Sequence, residues 1–171
     1  GEPANLGLLD CEAAIDWVVE HIAAFGGDPA RITVMGQSAG GSNIAAMLTR
    51  TPRFQRAIIQ SGSMGRGYRT RAQAERIGVA VLQALGVTSL DGARALPVQA
   101  LLDAQNDPGV KAALADEGSG RSLFCPVLDG TVLPFAIDAD LAAAPGKVDL
   151  LIGSTADEMA AFPRLGRGAD S

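Results

Sequence analysis

The sequence predicts an α/β fold, a parallel sheet with helices, and three patterns carry that prediction. Two short runs of β-branched residues flank a glycine-rich turn and a helical stretch, and a third run follows near the end of the chain. The order strand, glycine-rich turn, helix, strand is a βαβ unit, which requires a parallel pair of strands and a right-handed crossover. With 171 residues, 47% of them hydrophobic, the chain is long enough for one domain with a core, residues 1–171.

The first half of the chain contains a helix and then the βαβ unit. Apolar side chains recur at intervals of three and four over residues 10–24, which predicts a helix with Asp10 at its N-cap. Gly26-Gly27-Asp28-Pro29 ends that helix, because glycine and an Asp-Pro pair favour turns. The βαβ unit follows as a strand at 32–35, a helix at 44–48 and a strand at 57–60.

The second half is largely helical up to its last strand. We predict a helical insertion at residues 62–148, whose longest element is an amphipathic helix over residues 70–86. Asp149–Gly153 is the next buried strand, so the insertion precedes it. The smaller predicted elements are helical pieces around 90–105 and 110–115, a loop at 116–122, and an extended piece with a turn at 126–130.

Composition and charge exclude several classes of protein. The longest unbroken apolar run has five residues, Ile44–Leu48, whereas a membrane-spanning helix needs about 18 or more. A net charge of −5 argues against a nucleic-acid-binding surface, which would be basic. Two cysteines and one histidine give no disulfide framework, no four-cysteine zinc site and no site that needs two histidines. We therefore expect no metal.

Minor features bear on the origin and the surface of the protein. The excess of arginine over lysine and the abundance of alanine are typical of a high-GC bacterial gene, but they do not distinguish a cytoplasmic from a secreted protein. Because the chain opens Gly-Glu-Pro, we expect that its beginning is missing. We expect Cys11 and Cys125 to be buried or incidental, and the basic cluster Arg66, Arg69 and Arg71 to be the solvated start of a helix.

A candidate nucleophile lies in the glycine-rich turn. Gly36-Gln37-Ser38-Ala39-Gly40 fits the pattern Gly-x-Ser-x-Gly, and it follows a predicted strand and opens a predicted helix. A serine on such a sharp turn is exposed above the carboxyl edge of the sheet, beside the N–H groups of the helix start. The alternative is a structural glycine-rich turn of any doubly wound protein. Neither glycine-rich phosphate-binding pattern occurs in the chain.

Polar side chains follow two more strands at the same edge. Asp157 and Glu158 come after the strand that ends at Gly153, and Ser61 directly follows the strand that ends at Gln60. The carboxyl ends of parallel strands meet at one edge of a sheet, so Ser38, Ser61 and Glu158 are predicted to emerge on the same side. The alternative for Glu158 is that it only caps the next helix, and the residues alone leave both interpretations open.

Segments along nearly the whole chain match the pattern of one known family in order: Asn5–Asp10, Trp17-Val18, Ile22, Phe25–Pro29, Ile32-Thr33, Gly36–Gly41, Gln60–Ser63, Pro126–Gly130 and Gly153–Glu158. In these segments the chain resembles the type B carboxylesterases, the family of the cholinesterases and the bacterial para-nitrobenzyl esterases. The resemblance implies the α/β-hydrolase fold, a partial one here, and cleavage of carboxylic esters by a Ser-Glu-His triad without a cofactor. Its substrate would be a small-molecule ester.

Carried over to this chain, the resemblance implies a role for each matching residue. Ser38 corresponds to the nucleophile and Glu158 to the acid that orients the histidine. Ser61 resembles a serine near the acid, and the N–H of Ala39 resembles an oxyanion-hole donor. Two residues depart from the family pattern, namely Gln37, where Glu is usual, and Met159, where Gly is usual.

Two parts of the family's catalytic machinery do not match any residue of the chain. No histidine follows Glu158, although this fold takes its triad in the order serine, acid, histidine. His21 precedes the nucleophile, and we expect it to be a core or partly buried residue on the helix face with Trp17 and Phe25. The family's oxyanion loop would lie upstream of residue 1. We therefore expect an internal piece of a longer esterase, without useful activity by itself.

Two other functions are compatible with the same residues. The family includes non-catalytic adhesion relatives, although the presence of both Ser38 and Glu158 argues against that alternative. The chain would otherwise be a truncated, non-functional gene product. In an enzyme, the insertion at 62–148 is predicted to form one wall of the substrate pocket.

Overall fold

A three-stranded parallel sheet organises the chain in this computed structural model. The structure describes residues 4–50, 52–62, 68–115, 123–143 and 148–158. The chain divides into two compact units, one formed by Gly1–Tyr68 with Pro126–Ser171 and the other by Arg69–Cys125. We call the first the sheet unit and the second the helical unit. The expected single domain with an insertion at 62–148 stays a prediction.

The described elements alternate between strands and helices in the sheet unit and are mainly helical elsewhere. The strands are β1 (Thr33–Gln37), β2 (Arg56–Gln60), β3 (Arg69–Thr70), β4 (Val127–Leu128) and β5 (Asp149–Gly153). The helices are α1 (Leu6–His21), followed by a 3-10 turn (Ile22–Phe25), α2 (Ala39–Leu48), α3 (Arg71–Ala84), α4 (Leu90–Arg94), α5 (Val98–Ala104), α6 (Pro108–Ala115) and α7 (Ile137–Ala142).

The sheet confirms the predicted parallel arrangement. Its order is β1-β2-β5, so β2 is central and both of its neighbours run parallel to it. Ile59 of β2 is aligned with Gly36 on one side and Ile152 on the other, which brings the carboxyl ends of all three strands level. The predicted bounds of β5 match the structure, but the expectation that this strand is buried is wrong, because its apolar side chains Leu150, Leu151 and Ile152 are 47–64% exposed. Helix α2 begins earlier than the predicted helix at 44–48, directly after Ser38.

The core of the sheet unit lies where α2 packs on β1 and β2. Ala45 and Ala46 are completely buried, and Ala57 and Ile59 of β2 are 1% exposed. The small side chains of α2 allow this close approach of helix and sheet, which removes most of the helix surface from water. The remaining buried members of this core are Leu8, Ile44, Met47, Leu48, Phe54, Tyr68, Val132, Leu133 and Ile137.

Helix α1 differs from the prediction in both its start and its buried face. It begins at Leu6, not after Asp10, because Leu8 is drawn into the core at 4% exposure. Burial of Leu8 and packing of Ile15 define the inner face. Trp17 and Phe25 lie outside that face, with 52% and 73% of their surface exposed, so the expectation that they form a buried face with His21 is wrong.

Asn5 connects the start of the chain to the β4 segment. Its side-chain NH2 donates to the Val127 carbonyl at 2.8 Å and to Asp129 Oδ2 at 3.2 Å, while its oxygen accepts from the Val127 N–H at 2.7 Å. Asn5 has a φ of 62°, a left-handed conformation that asparagine tolerates better than most residues. These hydrogen bonds explain why an asparagine occupies the N-cap position of α1.

Asp129 closes the turn after β4. Its Oδ1 accepts hydrogen bonds from three successive backbone N–H groups, those of Thr131, Val132 and Leu133, at 2.8–3.0 Å. Partial burial raises the pKa of Asp129, but the bonds from Leu133, Thr131 and Val132 and from Asn5 outweigh it and hold the pKa below its ordinary value. The predicted turn at 126–130 is therefore held by a charged Asx-type motif.

The helical unit begins with a capping box at α3. The Thr70 hydroxyl accepts from the Gln73 N–H, and the Gln73 side chain accepts from the Thr70 N–H. Pro97 divides the predicted helical stretch at 90–105 into α4 and α5. The predicted loop at 116–122 lies outside the described residues. None of the helices in the described part of the chain is long and apolar enough to cross a bilayer.

Two features were not predicted. Helix α7 follows the Asp129 turn, and only Ile137 of its short sequence is buried, which leaves a weak periodic pattern. Arg69 is 2% exposed, so the expectation of a solvated cluster with Arg66 and Arg71 is wrong for Arg69. Arg71 is exposed as expected and pairs with Glu75, whereas Arg66 lies outside the described residues.

Replacement of Asn5 by alanine tests the connection between the chain start and β4. The substitution removes its three hydrogen bonds and leaves backbone groups of Val127 without their partner. We expect a loss of about 1–3 kcal/mol in the free energy of unfolding, measured by urea denaturation. The control is Asn106→Ala at an exposed position of the helical unit, and equal urea midpoints for the two variants would contradict the interpretation.

Candidate active site

Ser38 occupies a sharp turn between strand and helix. Strand β1 ends at Gln37, α2 begins at Ala39, and Ser38 between them has φ 53° and ψ −117°, a combination that non-glycine residues rarely adopt. Its N–H donates to the Gln60 carbonyl of β2 at 2.9 Å, and its carbonyl accepts from the Ser42 N–H of α2 at 3.0 Å. The neighbouring strand and the helix thus hold the turn while Ser38 remains exposed.

The glycines around Ser38 are not equivalent. A Cβ on Gly36 would lie 2.6 Å from the Gly40 carbonyl oxygen and 2.7 Å from the Gly41 nitrogen, so only glycine fits there. A Cβ on Gly41 would come within 3.1 Å of the Ile59 side chain. At Gly40, the second glycine of the motif, nothing lies within 4 Å of such a Cβ. The close approach of the strand end to the start of α2 therefore requires a glycine at position 36 and not at position 40.

Ala39 is the first residue of α2. The N–H groups of a helix's first turn have no acceptor within the helix, and they carry the positive end of its dipole. The N–H of Ala39 belongs to this set and lies next to the Ser38 side chain in the chain. An anion that forms at Ser38 would meet this end of α2.

Glu158 collects three hydrogen bonds on one oxygen. Its Oε2 accepts from the Ser61 hydroxyl at 2.8 Å, the Thr155 N–H at 2.8 Å and the Thr155 hydroxyl at 2.7 Å. No donor in the described part of the chain reaches the other oxygen, Oε1. The loop after β5 therefore folds back on its own carboxylate, and the described donors all lie on one of its two oxygens.

Ser61 links the ends of β2 and β5. It has a φ of 50°, in the left-handed region, and its N–H donates to the Gly153 carbonyl at 2.8 Å. The residue thus extends the pairing of the two strands by one step and then turns its hydroxyl to Glu158. The predicted partnership of Ser61 with the acidic residue corresponds to a direct hydrogen bond.

The donors around Glu158 keep it ionised. The hydroxyl and then the N–H of Thr155, followed by the Ser61 hydroxyl, lower the pKa of Glu158 from its ordinary value of 4.5. Near neutral pH the side chain is therefore a carboxylate that accepts hydrogen bonds. Sequence reasoning missed Thr155, although Thr155-x-x-Glu158 is the spacing of a capping box and would have identified it.

The three predicted edge residues occupy the ends of three adjacent strands. Ser38 follows β1, Ser61 follows β2, and Glu158 lies in the segment after β5. Ser61 and Glu158 are in direct hydrogen-bond contact, and the backbone N–H of Ser38 donates to the carbonyl of Gln60, the residue before Ser61. Between Ser38 and Glu158 the described residues show no direct hydrogen bond, and no described cluster of His, Cys, Asp or Glu has the form of a metal site.

His21 lies on the surface of α1, not in a buried position as predicted. Its ring stacks on Trp17 with centroids 4.7 Å apart, and its Nδ1 is 2.8 Å from the Trp17 carbonyl oxygen. The ring is exposed, and no described contact connects it with Ser38 or Glu158. The position at the end of α1 and the stacking on Trp17 are sufficient to explain this histidine.

A pair of glycine substitutions tests the asymmetry of the turn. Gly36→Ala forces the new methyl group against the backbone of Gly40 and Gly41, and we expect a loss of about 1–3 kcal/mol or more in stability and a displaced Ser38. Gly40→Ala lies inside α2 in open space, so we expect equal or slightly higher stability. Urea denaturation of both variants measures the difference, and comparable losses in the two would refute this account.

Comparisons with known proteins agree on one family. A profile of the Carboxylesterase family matches residues 2–169. The para-nitrobenzyl esterase of Bacillus subtilis is 40% identical over 160 residues, which are 90% of this chain and 32% of that protein. Carboxylesterase patB of Penicillium expansum is 42% identical over 135 residues, which are 76% of this chain and 23% of that protein.

A solved structure described as a thermophylic PNB esterase superimposes on this chain with a TM-score of 0.78 at 39% sequence identity. The superposition covers 98% of this chain and 34% of the esterase chain. The chain thus spans about a quarter to a third of the length of these relatives. Its fold is the corresponding part of the α/β-hydrolase fold, as the resemblance implied. The chain belongs to the carboxylesterase family.

Proposed function

We propose that the whole protein containing this chain hydrolyses small-molecule carboxylic esters, with Ser38 as the nucleophile. The observation that carries the proposal is the turn at Ser38, which exposes a serine at the start of α2 on the same sheet edge as Glu158. A strained turn that two neighbouring elements hold in place is typical of a functional residue, because a merely structural turn would relax it. Membership in the carboxylesterase family supports the same conclusion.

The reaction is an acyl transfer in two stages. The Ser38 hydroxyl attacks the ester carbonyl while a general base takes its proton, the alcohol leaves, and an acyl-enzyme remains on Ser38. Water then attacks the acyl group and restores the serine. The N–H of Ala39 stabilises the negative charge on the carbonyl oxygen in both stages, and the dipole of α2 adds to this effect.

Glu158 serves to orient the base. A histidine whose N–H donates to Oε1 of this carboxylate would be held in one tautomer and stabilised when it becomes charged. Ser61 and Thr155 donate to Oε2 and thereby hold the carboxylate in place, and no donor in the described part of the chain reaches Oε1. His21 is the single histidine among the 171 residues and is engaged with Trp17, so we assign the base to a histidine elsewhere in the whole protein.

Labelling with a fluorophosphonate tests the nucleophile in the whole protein. We expect the probe to form a covalent adduct on Ser38, and Ser38→Ala to abolish both the adduct and ester hydrolysis, with a fall of about a millionfold in kcat. Mass spectrometry of the labelled peptide and hydrolysis of a chromogenic acyl ester measure these effects.

The control is Ser154→Ala, which removes an exposed serine hydroxyl just after β5 and is expected to keep labelling and activity. A folded whole protein that takes no label and cleaves no ester would favour the non-catalytic relative of this family instead. Labelling that persists in Ser38→Ala would assign the nucleophile to another residue.

The Thr155 hydroxyl gives a test of the Glu158 site that depends on pH. Thr155→Val removes the largest cause of the lowered pKa of Glu158, so we expect that pKa to rise, as measured by 13C NMR of the glutamate carboxyl carbons. Thr155→Ser keeps the hydroxyl and is expected to titrate like the parent. An unchanged Glu158 titration in Thr155→Val would overturn this assignment.

The same change has a consequence for stability. Because the pKa of Glu158 is lower in the folded than in the unfolded state, its bonds stabilise the fold above the ordinary value of 4.5 and this contribution is lost as pH falls through the folded-state pKa. We therefore expect the difference in urea midpoint between the parent and Thr155→Val to be full at pH 7 and to shrink below about pH 4.5.

A further inference from the structure

Arg69 of the helical unit is a buried cation with unused hydrogen-bond donors. Only 2% of its surface is exposed. Its Nη1 donates to the Leu123 carbonyl at 2.7 Å and to the Cys125 sulfur at 3.1 Å. Its Nε and Nη2 are buried and have no hydrogen-bond partner among the residues that the structure describes. All of these groups belong to the one compact unit formed by Arg69–Cys125.

A buried guanidinium needs a negative partner. Removal of a cation from water costs several kcal/mol unless an opposite charge and hydrogen bonds offset it, and a guanidinium keeps its charge in proteins. No carboxylate in the described part of the chain forms an ion pair with Arg69. Among the described residues that Arg69 contacts by a hydrogen bond, the Cys125 thiol can become an anion, and an N···S distance of 3.1 Å suits a charge-assisted bond to a thiolate.

We propose that Cys125 is a site of oxidative modification, at which Arg69 holds the sulfur as a thiolate that reacts with hydrogen peroxide. Cys125 is only half-buried, so a small neutral oxidant can reach it, whereas Arg69 is enclosed. Arg69 is a positioning residue in this reaction. The site is separate from Ser38 and Glu158 in its chemistry, and it does not depend on the proposed esterase activity.

The reaction balances with peroxide as the only co-reactant. The thiolate attacks one peroxide oxygen, a sulfur–oxygen bond forms, the oxygen–oxygen bond breaks, and the departing hydroxide takes up the proton of the transferred oxygen to become water. The sulfur is oxidised and the peroxide reduced, and Cys125 ends as a sulfenate. Its new oxygen is an acceptor beside a guanidinium that still has two unused N–H positions, Nε and Nη2. An oxygen at this sulfur would supply the acceptor that the buried arginine lacks.

The first test uses the unmodified protein. The rate of Cys125 alkylation by iodoacetamide is measured by peptide mass spectrometry from pH 6 to pH 8.5, with the Cys11 peptide of the same digest as a check on the reagent. An ordinary thiol with a pKa of about 8.5 loses reactivity by about tenfold per pH unit below that value. We expect the alkylation rate of Cys125 to fall by less than about threefold from pH 8 to pH 6. A fall of about a hundredfold over this range would overturn the proposal.

The second test separates the charge of Arg69 from its bulk. Arg69→Met is expected to restore an ordinary pH dependence at Cys125 and to reduce its peroxide-dependent trapping by dimedone at pH 6 at least about tenfold. Arg69→Lys keeps a cation and is expected to retain most of the trapping. Far-UV circular dichroism checks the fold of each variant. Equal trapping in the parent and in a folded Arg69→Met variant would refute the role of Arg69, and the pH profile of the parent decides the proposal if neither variant folds.

Discussion

The close approach of α2 to β1 and β2 is the constraint on which the candidate active site depends. The backbone at Gly36 lies so near Gly40 and Gly41 that no side chain fits between them, and Ala45 and Ala46 continue the contact with no exposed surface. This packing leaves the chain only one residue, Ser38, in which to pass from strand to helix. The unusual backbone of Ser38 therefore results from the packing, and burial of the helix supplies the free energy that holds it.

The parallel register extends this constraint to the other side of the site. Alignment of Ile59 with Gly36 and with Ile152 places the ends of β1, β2 and β5 level, so the residues that follow them start from one edge. Ser61 then adds one more bond to Gly153 before its hydroxyl reaches Glu158. The carboxylate is thus attached to the sheet through β2 and to its own loop through Thr155.

Sequence patterns predicted the elements for which the local conformational preference of the residues agrees with their tertiary packing. The βαβ order, the strand Asp149–Gly153 and the placement of Ser61 beside Glu158 could be predicted because strand ends and glycine-rich turns leave distinct marks in a sequence. The exposure of Trp17 could not, because the periodicity of α1 fits two faces and packing of Leu8 makes the other face the buried one. The burial of Arg69 could not be predicted either, because arginine is mostly exposed in proteins and the sequence around Arg69 is that of an exposed basic cluster.

The charged groups Glu158 of the sheet unit and Arg69 of the helical unit have opposite surroundings, and their hydrogen bonds differ for that reason. Glu158 is stabilised by donors of its own loop and of Ser61 while it stays in contact with water, so its charge is held in place at little desolvation cost and remains available to a partner. Arg69 is enclosed, so each unused N–H carries the full cost of lost hydration. A half-buried carboxylate whose described donors all lie on one oxygen can accept one more bond on the other. A buried charge with unused donors is stable only beside an anion, and the neighbouring sulfur of Cys125 is the group that can provide it.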